Sequence, residues 1–333
     1  MAIRESLSAI RSRRGLPARG EYFNLLERTI TVLEHENPAM RPPDASGLSG
    51  GFLRLKADMP TLILPDLHAR VDFFMNVMDS LLPSGQTVLE ALSGDGIQLL
   101  CLGDGFHSEK RGQLRWLASF KEYAHGYTKH KSMDCEMREC LALMEMVMQC
   151  KCAFRENFHF LKGNHENILN EEGNGNHPFR KFSFEGEMVK EWMLKFYGDE
   201  FIQMYALFEK SLPLFALGEN FLASHSEPFD FYSEDELIET RTRGDVVLGL
   251  TWTDNDAASE GSVKKMLDHY LPLVPGSVYF GGHRPVHGQY NFRADNKYVQ
   301  IHNPSIENTV LVMNGREFDP VRDVREITKR GEE

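Results

Sequence analysis

The chain has 333 residues, 41% of them hydrophobic and 26% charged, a balance that lets a globular protein bury a large core without disulfide or oligomer support. Its formal charge of −12 and pI near 5.6 argue against non-specific attraction to nucleic acid or anionic lipid. The five cysteines, Cys101, Cys135, Cys140, Cys150 and Cys152, are odd in number and all fall within residues 101–152. That is no secreted disulfide framework, and Cys150-x-Cys152 lacks the further ligands that structural zinc requires.

At the N-terminus, Arg4, Arg11, Arg13 and Arg14 precede no apolar run of signal-peptide length, and no window reaches the ~20 apolar residues of a membrane span. A cytoplasmic protein is expected, although Arg- and Ser-rich N-termini also serve as organelle-targeting segments. Phe23, Leu26, Ile30 and Leu33 recur at three- and four-residue steps and predict an amphipathic helix over Glu21 to His35. Breakers follow at Asn37-Pro38, Arg41-Pro42-Pro43 and residues 46–51, so the main domain is expected to begin near Phe52.

Beyond that point short apolar runs predict strands at residues 61–64, 97–102, 158–161, 221–223, 278–280, 298–301 and 309–312. Helical patterns intervene, the clearest being Met137, Leu141, Met144 and Met148, then Met188, Trp192 and Phe196; both stripes read as core packing. The chain is therefore α/β, with polar clusters just past its strand ends, where open α/β sheets place their ligand sites.

Those clusters carry the chemistry. Asp66 and His68 follow the first long strand two residues apart, a spacing that in extended backbone projects both to one side and lets them share an ion. The next strand ends in Gly103-Asp104-Gly105, a carboxylate between glycines that permit close backbone approach. A third ends in Gly163-Asn164-His165-Glu166, and two more deliver His225 and Gly282-His283. Any one of these is unremarkable; five strand ends in succession point to a dinuclear metal site. Carboxylate, imidazole and amide ligands without thiolate suit Mn, Fe, Zn or Co.

The pattern resembles that of the calcineurin-like metallophosphoesterases: Asp-x-His, Gly-Asp, Gly-Asn-His-Asp/Glu, a lone His and Gly-His, in matching order over residues 60–315. Within that superfamily, residues 155–166 and Leu250-Thr251-Trp252-Thr253-Asp254 are similar to the serine/threonine phosphoprotein phosphatase branch and its bacterial dinucleoside-tetraphosphatase relatives. The resemblance implies a four-layer α/β/β/α sandwich over residues 52–320. Outside that span the residues themselves predict an N-terminal helical extension and linker at 1–51 and a charged tail at 321–333, and against the branch pattern 108–134 is an insertion that either borders the site or forms a solvated loop. The resemblance also implies that Asp66 and His68 hold the first of two divalent ions, Asp104 bridges, and Asn164, His225 and His283 complete the second, with His165 as general acid.

Departures from the branch pattern fall on the phosphate side. Residues 103–109 read Gly-Asp-Gly-Phe-His-Ser-Glu where the branch has Gly-Asp-x-x-Asp-Arg-Gly, so His107 stands in for the acid partner of the catalytic His and the phosphate-binding Arg is missing. Arg70, Arg111, Arg243 and Arg284 are the candidates to replace it, since a guanidinium fork suits phosphate oxygens. Pro65 and Ala69 replace glycines of the first motif, and Pro285 stands where other branches carry a second metal-binding His, which favours the phosphatase branch unless His287 substitutes.

The implied reaction is in-line attack of a metal-bridging hydroxide on a phosphomonoester, with a phosphoserine or phosphothreonine protein as the leading substrate. Hydrolysis of a dinucleoside polyphosphate or other small phosphoester is the alternative. A metal-binding scaffold without turnover is the rival from another class, motivated by His107 and Ser108. The expected partner is a phosphorylated substrate, protein or small molecule, and neither nucleic acid nor membrane.

Overall fold

A computed structural model describes residues 2–173 and 177–327. The chain opens with helices α1 (Ala2–Ser12) and α2 (Arg19–Glu34), and then runs through β1 (Phe52–Arg54), β2 (Thr61–Leu64), α3 (Val71–Asp79), α4 (Val88–Ser93) and β3 (Gln98–Cys101). A 3₁₀ turn (Glu109–Gly112) leads into α5 (Gln113–Ala124), followed by α6 (Lys131–Ala153), β4 (Phe158–Phe160), α7 (Glu185–Phe196) and α8 (Asp199–Lys210). The remaining elements are β5 (Phe215–Leu217), β6 (Phe221–Ser224), α9 (Glu234–Ile238), α10 (Gly244–Thr251), α11 (Ser262–Tyr270), β7 (Val278–Gly281), β8 (Asn291–Arg293), β9 (Tyr298–Gln300), β10 (Asn308–Val312), α12 (Pro320–Asp323) and β11 (Val324–Glu326).

The strands form two sheets, ordered β1-β5-β6-β7-β9-β8 and β11-β10-β2-β3-β4. Strands β2, β3 and β4 are parallel, as are β6, β7 and β9, and each trio carries antiparallel partners toward its edges. Side-chain alternation explains the layering. Ile63, Leu100, Leu161, Ala223, Phe280 and Val299 point between the sheets, whereas Leu62, Leu64, Leu99, Cys101, Phe158 and Phe160 point outward into a helical layer. Strands buried on both faces read as continuous apolar runs, which is why the sequence located them. On the opposite outer face Leu222, Tyr279 and Tyr298 pack against Val246, Leu250, Met266 and Leu267 of α10 and α11. The result is the expected four-layer α/β/β/α sandwich.

The methionine stripe of α6 lies in the larger helical layer, with Met133, Met137, Leu141, Met144 and Met148 all buried. Each such side chain contributes roughly 1.5–3 kcal/mol by leaving water. Helices α1 and α2 belong to the same apolar cluster through Leu7, Ile10, Leu26, Ile30 and Leu33. The breaker-rich stretch after α2 is ordered around Arg41, whose buried guanidinium donates to the carbonyls of Leu33, Gly50 and Ser211 and pairs with Glu36. Within the segment 108–134 lie the 3₁₀ turn, α5 packed on α6, and Trp116, which is buried behind the site. Residues 324–326 extend the second sheet beside β10, and the remainder of the expected tail, 328–333, lies outside the described residues. No helix of the described residues is long and apolar enough to cross a membrane.

Candidate metal centre

The parallel pairing of β2 and β3 continues into the loops that follow them. The N–H groups of Leu67, His68 and Ala69 donate to the carbonyls of Gly103, Asp104 and Gly105, which locks the two loops in register. Gly103 takes φ +111° and passes so close to Gly163 that a Cβ would lie 2.7 Å from its nitrogen, so only glycine fits where the β3 and β4 loops meet. The Glu166 carboxylate then ties those loops together by accepting the N–H groups of Asp104, Gly105 and Gly163. His68, Asp104, His107, Glu109 and His283 all have positive φ, strain that clusters where the side chains converge.

Two donor groups form around Asp104. On one side His68 Nδ1 lies 3.1 Å from the Phe106 carbonyl, to which only a protonated nitrogen can donate. Its Nε2 lone pair therefore faces Asp104 Oδ2 at 3.5 Å and Glu109 Oε1 at 3.7 Å. On the other side His225 Nδ1 is bonded in the same way to the Leu102 carbonyl at 2.9 Å. Its Nε2 faces Asp104 Oδ1 at 3.4 Å and Asn164 Oδ1 at 3.0 Å, and His283 Nδ1 also lies 3.0 Å from Asn164 Oδ1.

Lone pairs aimed at oxygen atoms repel unless a cation lies between them, and here that arrangement occurs on both sides of one carboxylate. Burial holds His68 and His283 well below the usual imidazole range and His225 at about 4, so the rings are neutral, as ligands must be. Burial, together with the Asp104 and Glu109 carboxylates, pushes Asp66 well above its ordinary value; Asp104 is raised by burial as well. Asp66 Oδ1 and His283 Nε2 are buried without hydrogen-bond partners. Three overlapping sets, Asp66-His68-His302, His68-Asp104-His165 and Asp66-Asp104-His225, have donor atoms close enough to share an ion. The donors fit divalent metal on both sides.

All six sequence-derived ligands thus converge, and the structure adds His302, which the sequence reading passed over. This wholly buried ring sits just past β9, with Nδ1 3.8 Å from Asp66 Oδ2 and Nε2 3.4 Å from Glu109 Oε1. His287, the substitute considered for a second metal-binding His, is exposed. The signal was present, because His302 follows the predicted strand 298–301 as His225 follows 221–223.

His165 lies at the rim between the two groups, with Nε2 3.6 Å from Asp104 Oδ2 and its ring stacked on Phe179 at 4.3 Å. Burial, then His68, His107 and His225, holds its pKa well below the ordinary value. His107 is near, its ring centroid 5.5 Å away, but the expected pairing is not a hydrogen bond. His107 Nδ1 accepts the Glu109 N–H, Nε2 faces Glu185 at 3.8 Å, and the ring stacks on Trp116. His165 Nδ1 is left buried without a hydrogen-bond partner.

The arginine candidates diverge. Arg70 spends its donors on the carbonyls of Asp66, Leu67 and Asn303, clamping the β2 loop to the β9 loop. Arg111 bonds Glu139 and the carbonyls of His68 and Ala69. Arg243 pairs with Glu236 and Asp245 at the start of α10, the end remote from Trp252, whose ring meets His283. Arg284 is bidentate with Asp254, and its charge reaches His225 and His283.

A family model for calcineurin-like phosphoesterases matches residues 59–302. The chain belongs to that family. It is accordingly a metallophosphoesterase, a hydrolase of a family that typically depends on two metal ions and acts on phosphorylated substrates. No curated protein matches it. A protein serine/threonine phosphatase from Saccharomyces cerevisiae, described as similar to human phosphatase PP5, superposes with a TM-score of 0.57 and 13% identity, over 95% of this chain and 92% of its own. A cold-active protein-tyrosine phosphatase of a psychrophilic Shewanella species gives 0.50 and 14%, over 83% and 82%. At such identities the likeness is one of fold.

Proposed function

We propose that this metallophosphoesterase hydrolyses a phosphomonoester at a dinuclear centre. Asp66, His68, Asp104 and His302 hold one ion, and Asp104, Asn164, His225 and His283 hold the other. The observation that carries the reading is the pair of facing lone-pair sets on either side of Asp104. Two ions bound there would supply an activated water and a charge clamp for the attacking and leaving oxygens.

The chain's own residues do the rest. Asp104 presents one oxygen to each side, and Glu166 fixes its loop. Phe179 holds the His165 ring at the rim, where Nε2 is placed to pass a proton to the departing alkoxide. No side chain is needed as covalent nucleophile, since phosphoryl transfer asks mainly for positioning and charge neutralisation. The leading substrate is phosphoserine or phosphothreonine in a protein.

The test is hydrolysis of p-nitrophenyl phosphate by protein loaded in turn with Mn, Fe, Zn and Co. Metal-dependent release that disappears in Asp104→Asn supports the reading; no release by fully loaded protein removes it and leaves the scaffold. Phosphopeptides and diadenosine polyphosphates assayed side by side divide the substrate classes. Inactivity on phosphopeptides alone would shift the assignment to small phosphoesters.

A further inference from the structure

The site as described has metal donors on two sides yet lacks the guanidinium expected at position 108, which is Ser108, a residue bonded to the buried Glu136. Three of the four arginine candidates spend their donors on backbone carbonyls or on acidic partners away from the metal donors. The fourth, Arg284, pairs with Asp254 while its charge reaches His225 and His283, and Lys181 pairs with a carboxylate of the donor cluster on the other side. Its Nζ lies 2.8 Å from Glu109 Oε1, and that same oxygen lies 3.4 Å from His302 Nε2 and 3.7 Å from His68 Nε2. The ammonium is thus one carboxylate removed from the donors of the Asp66 side. Its charge is felt at His68, Asp104, His165 and His302.

Its placement is built, not incidental. The N–H groups of Lys181, Phe182 and Ser183 all donate to the Glu185 carboxylate at the start of α7, which fixes the backbone from which Lys181 reaches inward. On either side of it, Phe179 stacks on His165 and Phe182 stacks on His107, so the segment is packed against the catalytic rim. Glu109 itself is buried, whereas the Lys181 side chain is 40% exposed, so its ammonium links the buried donors to solvent.

We propose, building on the phosphoesterase reading, that Lys181 is the phosphoryl-binding cation of this enzyme and takes over the role of the missing guanidinium. Glu109 orients it, and a cation bound on the Asp66 side would compete with Lys181 for that carboxylate, leaving the ammonium free to meet an incoming phosphoryl oxygen. A lysine serves here as a compact point charge without the bidentate fork of arginine.

The experiment titrates inorganic phosphate into Mn-loaded wild type, Lys181→Met and Lys181→Arg by calorimetry, with metal content and Tm measured on each and KM for p-nitrophenyl phosphate read in parallel. The expected result is a tenfold or larger loss of phosphate affinity and a matching rise in KM in Lys181→Met, at unchanged metal content and Tm. Lys181→Arg should stay within about threefold, a rescue that a merely structural lysine would not single out by charge. Wild-type phosphate affinity in Lys181→Met at full metal occupancy overturns the proposal. Phosphate binding is read without turnover, so failure of the wild type to hydrolyse any ester counts against the hydrolase reading and leaves the Lys181 result legible.

Discussion

Glu36→Gln removes one charge from a buried trio and tests what holds the N-terminal helices to the catalytic sandwich. Glu36 lies 2.7 Å from Arg41 Nη1 and also bonds Lys151 Nζ, with all three side chains nearly inaccessible. Burial works against the carboxylate, but Lys151 and Arg41 outweigh it and bring the Glu36 pKa from 4.5 to about 2. At about 1.4 kcal/mol per pKa unit, the ionised carboxylate contributes about 3 kcal/mol of stability at neutral pH. Burial also lowers the pKa of Arg41 and Lys151, so desolvation of the two cations offsets part of that gain. Losing Glu36 alone, however, strands two cations, which typically costs about 3–5 kcal/mol. Urea denaturation at pH 7 should show that loss, and Glu36→Gln/Lys151→Met should recover part of it. Because the folded pKa is depressed, the contribution is complete above pH 4.5 and fades as pH falls toward 2, so the wild-type and variant stabilities converge in acid. A difference under 1 kcal/mol at pH 7, or one that stays constant down to pH 3, would refute the electrostatic argument.

Three further outcomes bear on the metal centre. Asp104→Asn should lower metal content on both sides, since each of its oxygens faces a different imidazole, and should reduce metal-dependent turnover by at least about a thousandfold, as expected when transition-state charge stabilisation is lost; elemental analysis and p-nitrophenyl phosphate kinetics check both. His302→Ala should weaken one ion by more than the roughly 10–100-fold typical for losing an outer-shell partner, and leave the Asn164-His225-His283 side intact; two equal unperturbed sites in a Mn titration would remove His302 from the ligand set. Gly282→Ala places a Cβ 1.8 Å from Asp66 Oδ1, so it should cost metal on the Asp66 side although neither residue's charge changes. Full metal content in that variant would mean that the β7 loop yields more easily than its packing indicates.

How much of this was legible in the sequence depends on how each residue reaches the site. The strands that deliver Asp66, Asp104, Asn164, His225 and His283 are buried on both faces, so their apolar runs mark them and the candidate ligand follows within a few residues of the strand end. Strands β1, β5, β8 and β11 are three residues long and pair at or near sheet edges, too short to show any period, and the sequence reading did not separate them from loops. Strand β1 begins at Phe52, directly after the breakers. The order of the breakers themselves was not legible, because it comes from one buried arginine bonding carbonyls far apart in sequence.

The phosphate side was hidden for a stronger reason. In the relatives' motif, charge and metal ligand lie in one short stretch, whereas here they are dispersed: Glu109 follows the β3 loop in a strained turn, His302 arrives after β9, and Lys181 comes from the lead into α7. No spacing rule connects three residues that meet only because two sheets and a helical layer close around them. A motif reader therefore sees His107, Ser108 and Glu109 as losses. Their surroundings give a different account: His107 is walled by Trp116 and Phe182, Ser108 is bonded to Glu136, and Glu109 is buried among His68, His302 and Lys181. The first two side chains are held by packing and hydrogen bonding at the rim, and the third brings a carboxylate among the imidazoles with Lys181 paired to it, so the groups that meet at the donor cluster come from segments no short motif spans.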